Sequence, residues 1–186
     1  MNYNFQNSPK QGELIKENII CETPYYLVKK EIHRLSNDEE HEYSIAHAPD
    51  WVLILPIDEN GDFVMIWQYR AGWRRSSLEF PAGRLEVKEN ELDAAKRELK
   101  EETGYTAKNW KLLGSNRPVT WTTQKAYFYL ASELTVGTTN FDTEEDIETV
   151  KIKPDNFWEF VESGDIVELP TITAFTYYQR INSKNK

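Results

Sequence analysis

The alternation of apolar and polar residues predicts a series of β-strands interrupted by one long amphipathic helix. The strands expected before that helix are residues 17–35, with a break at Pro24, then 43–48, 51–57 and 63–69. The pair Asn60-Gly61 accepts the positive φ of a tight turn. The pattern therefore predicts that 51–57 and 63–69 form a β-hairpin.

The long helix is predicted over residues 91–103. Apolar residues recur there at i, i+3 and i+7 from Leu92, which is the spacing of a buried stripe. Asn90 is a favourable N-cap, and Gly104 provides a C-terminal stop because glycine adopts positive φ without steric cost.

Shorter elements follow the long helix. They are strands at 110–113, 125–131 and 147–152, an acidic loop at 138–146, a helix from Pro154 to Gly164, and a last helix from Pro170 to Ile181. Mixed strands, a helix, more strands and terminal helices are typical of an α/β layered fold.

Composition narrows the class of protein. The chain of 186 residues is 39% hydrophobic and 13% aromatic, which suits one domain with a small appendage and argues against disorder. The longest apolar run, 51–57, is too short to cross a membrane, and the N-terminus lacks an apolar signal core. The single cysteine, Cys21, suits a reducing compartment. We therefore expect a cytoplasmic protein without a membrane partner.

The net charge of −9 disfavours a nucleic-acid partner, because such proteins normally carry a basic stripe. It also opposes the binding of anionic substrates. That conflict is relieved if a metal ion neutralises an acidic cleft while a few arginines bind phosphate.

An acidic cluster lies on one side of the long helix. Glu98, Glu101 and Glu102 are three and four residues apart, about 100° around the helix from the apolar stripe. These like charges repel, and the end of a helix favours cations. A solvated acidic face is one interpretation. The other is a site for Mg²⁺, with Mn²⁺ as an alternative, because both ions take oxygen ligands.

Residues 83–105 resemble the Nudix box, G-x5-E-x7-R-E-U-x-E-E-x-G-U, where U is a bulky apolar residue. Its fixed positions are filled by Gly83, Glu89, Arg97, Glu98, Leu99, Glu101, Glu102, Gly104 and Tyr105. The resemblance implies hydrolysis of a nucleoside diphosphate linked to another group. It also implies an α/β/α sandwich with a mixed sheet and a small N-terminal antiparallel β subdomain.

The likeness extends beyond the box. The segments Gln68-Tyr69-Arg70 and Glu79-Phe80-Pro81-Ala82-Gly83 are similar to ADP-ribose and nucleotide-sugar pyrophosphatases of the superfamily. The likeness implies that residues 1–45 dimerise and that 46–186 form the Nudix hydrolase domain. The loop 117–122 departs from the Ser-Pro-Gly-like pattern of ADP-ribose-specific members, so the sugar and base preference stays open.

The resemblance assigns the metal ligands by position. Glu98 and Glu102 are the expected principal ligands, Glu101 is an additional ligand or bridge, and the backbone carbonyl of Ala82 also faces the ion. Arg97 is expected to orient these carboxylates through a bidentate pair with Glu89.

Several further residues are candidates for catalysis or for substrate binding. Glu145, with Glu144 as its neighbour, is the candidate general base, and a solvated loop acid is the alternative interpretation. Arg70 is a candidate for contacting a substrate phosphate or a terminal ribose. Arg74 is a weaker candidate, and a solvated loop residue is the alternative interpretation. Glu79 is a candidate for holding substrate or structure, and Trp121 for stacking on a base or for core packing.

Three functions remain open from the sequence. The first is Mg²⁺-dependent hydrolysis of a nucleoside diphosphate sugar, either ADP-ribose or an ADP-, GDP- or UDP-sugar, to a nucleoside monophosphate and a sugar phosphate. The second is a nucleoside triphosphate pyrophosphohydrolase. The third, of a different class, is a non-catalytic Nudix-like ligand sensor, which the complete set of box glutamates disfavours.

Overall fold

The computed structural model of the protein describes residues 12–137 and 147–183. The strands are β1 (Glu13–Glu22), β2 (Leu27–Arg34), β3 (Glu40–His47), β4 (Trp51–Pro56), β5 (Phe63–Arg70), β6 (Arg75–Glu79), β7 (Ala82–Arg84), β8 (Tyr105–Asn116), β9 (Ala126–Val136) and β10 (Ile147–Ile152). The helices are α1 (Glu91–Thr103), α2 (Phe157–Glu162), preceded by a 3₁₀ turn at Pro154–Asn156, and α3 (Leu169–Ser183).

The chain divides into two compact units. The first ends at Ala48 and also includes Val119–Gln124, and the second takes in Pro49–Pro118 and the chain from Lys125 onward. In the first unit β1, β2 and β3 form an antiparallel sheet in that order. The segment 119–124 joins this unit through the Ala46 N–H, which donates to the Trp121 carbonyl at 2.9 Å.

Two histidines of the first unit share one buried carboxylate. The Nε2 atoms of His33 and His47 lie 2.7 and 2.6 Å from the two oxygens of Glu31. Burial raises the pKa of Glu31, but the hydrogen bonds to both histidines outweigh it and leave that pKa below its ordinary value. Spacing alone indicates only ordinary surface or strand histidines, because the shared contact with Glu31 depends on the pairing of β2 with β3.

The second unit contains two sheets. One is antiparallel, in the order β10-β5-β6, and the other is mixed, in the order β7-β4-β9-β8, with β4 parallel to β9. Successive side chains of β4 point to opposite faces. Val52 and Ile54 pack in the cluster that contains Leu99 of α1, whereas Leu53 and Leu55 pack in the cluster that contains α2 and α3. Helices therefore cover both faces, and the predicted α/β/α class is confirmed.

The predicted hairpin of 51–57 with 63–69 is wrong. β4 and β5 belong to different sheets, and only an isolated bridge joins Ile57 to Phe63. The turn itself forms, because the buried carboxylate of Asp58 accepts the N–H groups of Asn60 and Asp62. Pairing fails because both edges of β4 are already bonded, one to β7 and the other to β9.

The long helix begins and ends where the sequence predicts. The side chain of Asn90 accepts the N–H groups of Leu92 and Asp93, and Gly104 has φ 72° with its N–H bonded to the Lys100 carbonyl. The short strands β6 and β7 were not foreseen, since 3 to 5 residues carry little periodic signal. Among the described residues, no helix combines the length and apolar character needed to cross a bilayer.

Candidate active site

The two principal acids of the box lie against consecutive residues of β7. A Cβ atom on Gly83 would lie 1.9 Å from the Glu98 carboxylate carbon, so only glycine leaves room for that group. The buried Glu102 carboxylate accepts the backbone N–H of Ala82 at 2.9 Å. Both carboxylates are thus brought to the start of the box by the packing of α1 on β7.

Arg97 holds three carboxylates with one guanidinium. Its Nε and Nη2 donate to the two oxygens of Glu89 at 3.0 and 2.9 Å. Its Nη1 donates to Glu98 at 2.7 Å and to Glu101 at 2.9 Å, and Nη2 also reaches the Arg84 carbonyl.

These contacts favour the charged forms of Arg97 and Glu89. Hydrogen bonding to Glu89 raises the pKa of Arg97 further above its ordinary value, and the same bonds lower the pKa of Glu89. One positive charge faces three carboxylates, and Glu102 lies nearby on the same helix. The cluster therefore retains an excess of negative charge that a cation would offset.

The donor set fits a hard divalent ion that is shared with solvent and substrate. The described residues contain no group of three His, Cys, Asp or Glu side chains that could hold a metal alone. Mg²⁺ usually binds one or two carboxylates and completes its shell with water and phosphate oxygens. Glu98 and Glu102 supply such carboxylates beside Gly83, where a side chain would fill the space.

A second arginine pairs with a fully buried acid. Glu79 has no exposed surface and accepts from both Nε and Nη2 of Arg70, whose side chain is 34% exposed. Burial lowers the pKa of Arg70, but the bonds to Glu79 and the nearby charges of Glu168 and Glu102 raise it above its ordinary value. Arg70 therefore belongs to the same electrostatic environment as the box acid Glu102.

Four further residues were predicted to take part in the site. Arg74 is exposed in the turn after β5, with φ 55°, and its N–H bonds to the Arg70 carbonyl at 2.8 Å. Trp121 lies in the first unit with 58% of its surface exposed. Glu144 and Glu145 lie outside the described residues. The roles of all four stay predictions.

Sequence patterns do not predict a role for Thr171, in the first turn of α3, or for Glu168, directly before that helix. The hydroxyl of the fully buried Thr171 donates to Glu168 at 2.7 Å and accepts the Phe80 N–H at 3.3 Å. Burial and the charge of Glu79 raise the pKa of Glu168 to about 7. The only sequence signal is an acid three residues before a threonine at a helix start, which by itself indicates a cap.

Comparison with known families identifies the class of protein to which this site belongs. Residues 47–168 match the NUDIX domain family. The match covers more than half of the 186 residues, so the chain belongs to that family. The class predicted from the motif, a Nudix hydrolase, is confirmed.

Individual proteins are similar to this chain over most of its length. The chain is 31% identical over 148 residues to an ADP-ribose pyrophosphatase of Bacillus subtilis (strain 168), covering 78% of this chain and 80% of that protein. It is 28% identical over 149 residues to a methanol dehydrogenase activator of Bacillus methanolicus, covering 78% and 80%. A crystal structure of an ADP compounds hydrolase matches 96% of this chain and 97% of its own with a TM-score of 0.84. At 21% identity, that likeness supports the fold alone.

Proposed function

We propose that the protein hydrolyses the pyrophosphate bond of a nucleoside diphosphate sugar, releasing a nucleoside monophosphate and a sugar phosphate. ADP-ribose and the ADP-, GDP- and UDP-sugars are the candidate substrates. The observation that carries the proposal is the placement of Glu98 and Glu102 against Gly83 and Ala82, with Arg70 electrostatically coupled to Glu102. The relative named ADP-ribose pyrophosphatase supports the same substrate class.

Mg²⁺, or alternatively Mn²⁺, would be held by Glu98 and Glu102, with Glu101 and the Ala82 carbonyl as further donors. Such an ion supplies neutralisation of phosphate charge and an activated water. Arg97 orients Glu98 and Glu101 through its Nη1. Glu145, with Glu144 as the alternative, is the proposed base that accepts the proton of the attacking water.

Arg70 is the proposed phosphate-binding residue. Glu79 occupies Nε and Nη2, which fixes the plane of the guanidinium and leaves Nη1 for a phosphate oxygen. The buried Glu79 therefore acts by holding Arg70. Arg74 and Trp121 remain candidates for additional contacts with the substrate.

Product analysis tests the proposal. The purified protein with Mg²⁺ or Mn²⁺ is given ADP-ribose, GDP-mannose, UDP-glucose and dGTP, and the products are separated by chromatography. We expect a nucleoside monophosphate and a sugar phosphate from at least one sugar nucleotide, and loss of cleavage in chelator. Glu102→Gln should lower turnover by at least about 100-fold, since weaker perturbations of metal sites already cost about 10–100-fold.

Glu159→Gln, an exposed acid of α2, is the matched control and should retain wild-type turnover. Undiminished cleavage in chelator would remove the metal from the mechanism. Cleavage of dGTP alone would instead identify a nucleoside triphosphate pyrophosphohydrolase. Binding without cleavage of any compound would favour a sensor.

We also propose a cytoplasmic homodimer in which residues 1–45 form the dimerisation region and 46–186 the catalytic domain. The support is β1, an edge strand with exposed Leu14, Ile19 and Ile20. Exposed apolar edge strands favour pairing with another chain. Sedimentation velocity should show a dimer for the wild type and a monomer for Ile19→Lys, and a monomeric wild type would refute the assembly. Cell fractionation checks the compartment.

A further inference from the structure

The start of α3 is linked by hydrogen bonds to the segment that carries Glu79. Thr171 has no exposed surface, and its hydroxyl connects the Glu168 carboxyl to the backbone N–H of Phe80. Phe80 directly follows Glu79, which holds Arg70 by two nitrogens. A continuous path therefore runs from Glu168 to the phosphate-binding arginine.

The charges along this path do not balance. Arg70 on β5 contributes one positive charge, and Glu79 on β6 offsets it. Glu168 at the start of α3 adds a second carboxyl to the array, and Glu102 on α1 adds a further negative charge beside Arg70. With Glu168 ionised, the Arg70–Glu79–Glu168 array carries one net negative charge. With Glu168 protonated, the array is neutral.

The two charge states of the array should bind a phosphate group with different affinity. An additional negative charge near Arg70 repels an incoming pyrophosphate. Burial and Glu79 raise the pKa of Glu168, whereas Thr171 and Arg70 lower it, with a net value of about 7. The switch between the two states thus falls near neutral pH.

We propose that Glu168, acting through Thr171 and the Arg70–Glu79 pair, is a positioning residue that favours binding of the substrate's phosphates when protonated and weakens it when ionised. This inference rests on the proposed function for its substrate. It assigns Glu168 no contact with the reacting atoms. Its effect is therefore expected in KM more than in kcat.

The first test follows the kinetics between pH 6 and pH 8.5. KM of the wild type for the cleaved sugar nucleotide should rise roughly three- to tenfold with a midpoint near pH 7. Glu168→Gln should keep the low KM throughout, because its neutral amide resembles the protonated acid. Glu162→Gln, an exposed acid of α2, should follow the wild type. An identical rise of KM in Glu168→Gln would overturn the proposal.

Thr171 variants separate the hydrogen-bonded path from packing. Thr171→Ser retains the hydroxyl and should keep the wild-type KM and its pH dependence. Thr171→Val has nearly the same shape but neither donates nor accepts. It removes the bond that lowers the pKa of Glu168, so the midpoint of the KM rise should move to higher pH. The same midpoint in the two variants would exclude the path through the hydroxyl.

A binding measurement separates this proposal from the proposed function. Calorimetry with inorganic pyrophosphate and Mg²⁺ at pH 6 and pH 8 requires no cleavage. Weaker binding at pH 8 in the wild type but not in Glu168→Gln supports the proposal, even if no sugar nucleotide is cleaved. Equal pH dependence in the two proteins overturns it, even if the enzyme is a sugar-nucleotide hydrolase.

Discussion

Two arginines organise acidic side chains in this protein, and they do so in different surroundings. Arg97 gathers Glu89, Glu98 and Glu101 from one motif of the sequence, and Glu101 is half exposed. Arg70 instead pairs with Glu79, which has no exposed surface, in an array that reaches α3. The first cluster places three acids around one arginine and includes a half-exposed carboxylate, whereas the acid that pairs with Arg70 is fully buried.

The difference determines how each cluster can offset its negative charge. A group of carboxylates with a half-exposed member can admit a divalent ion together with water and phosphate oxygens. Burial and a neighbouring acid disfavour the ionised form of a carboxyl group and raise its pKa, so such a group is neutralised by a proton. The raised pKa of Glu168 and the lowered pKa of Glu89 follow this division. We therefore expect the Arg97 cluster to respond to metal and the Arg70 array to respond to pH.

The largest effect is expected for Gly83→Ala. The new Cβ would displace the Glu98 carboxylate from a separation of 1.9 Å, and misplacement of a catalytic group by about 1 Å can cost 100-fold in rate. Turnover should fall by about that factor while the melting temperature changes little, because the Glu98 side chain can move. Gly72→Ala is the control, since a Cβ there meets nothing within 4 Å. Wild-type turnover in Gly83→Ala would break the assignment of Glu98.

Substitution of each arginine by lysine tests whether the two clusters have separate roles. Arg97→Lys loses the fork that holds Glu89 and should raise the Mg²⁺ concentration for half-maximal activity by about 10–100-fold. Arg70→Lys should raise KM for the sugar nucleotide about tenfold, with little change in the Mg²⁺ requirement. Metal and substrate titrations of both variants measure this. If both substitutions changed the same constant equally, the two clusters would not have separate roles.

The smallest effect concerns stability and is expected for Glu89→Gln. Glu89 has a folded-state pKa below its ordinary 4.5, so its contribution is present above that pH and is lost as the pH falls through the folded value. The substitution should lower the free energy of unfolding by about 1–3 kcal/mol at pH 7 and by less in acid. Urea unfolding at several pH values measures this. A loss that grows on acidification would contradict the pairing with Arg97.

Glu168→Gln should show the opposite trend in the same unfolding experiment. Its folded-state pKa of about 7 lies above the ordinary 4.5, so ionisation of Glu168 destabilises the fold as the pH rises between these values. The variant should gain stability relative to the wild type across that interval. The difference in stability between variant and wild type should therefore change with pH in opposite directions for the two glutamates, because their surroundings shift their pKa values in opposite directions.

Local patterns were sufficient for much of the fold and for the centre of the site. The helix α1 was predictable because its cap, its apolar stripe and its stop all lie within 15 residues, Asn90 to Gly104. The hairpin was mispredicted because a turn pattern does not reveal that β7 and β9 already pair with β4. The inclusion of Val119–Gln124 in the first unit also depends on a contact between distant parts of the chain.

The acidic cluster of the box was predictable from local sequence alone, because helix geometry places Glu98, Glu101 and Glu102 on one side whatever surrounds them. The link of Glu168 and Thr171 to the segment that carries Glu79 follows only from the packing of the folded chain. Glu168 and Thr171 are about 100 positions from Arg70 in the chain. The hydrogen bond of Thr171 with Phe80 depends on the packing of α3 against the segment that follows β6. Partial burial and the charge of Glu79, which raise the pKa of Glu168, are consequences of that packing and have no local pattern in the sequence.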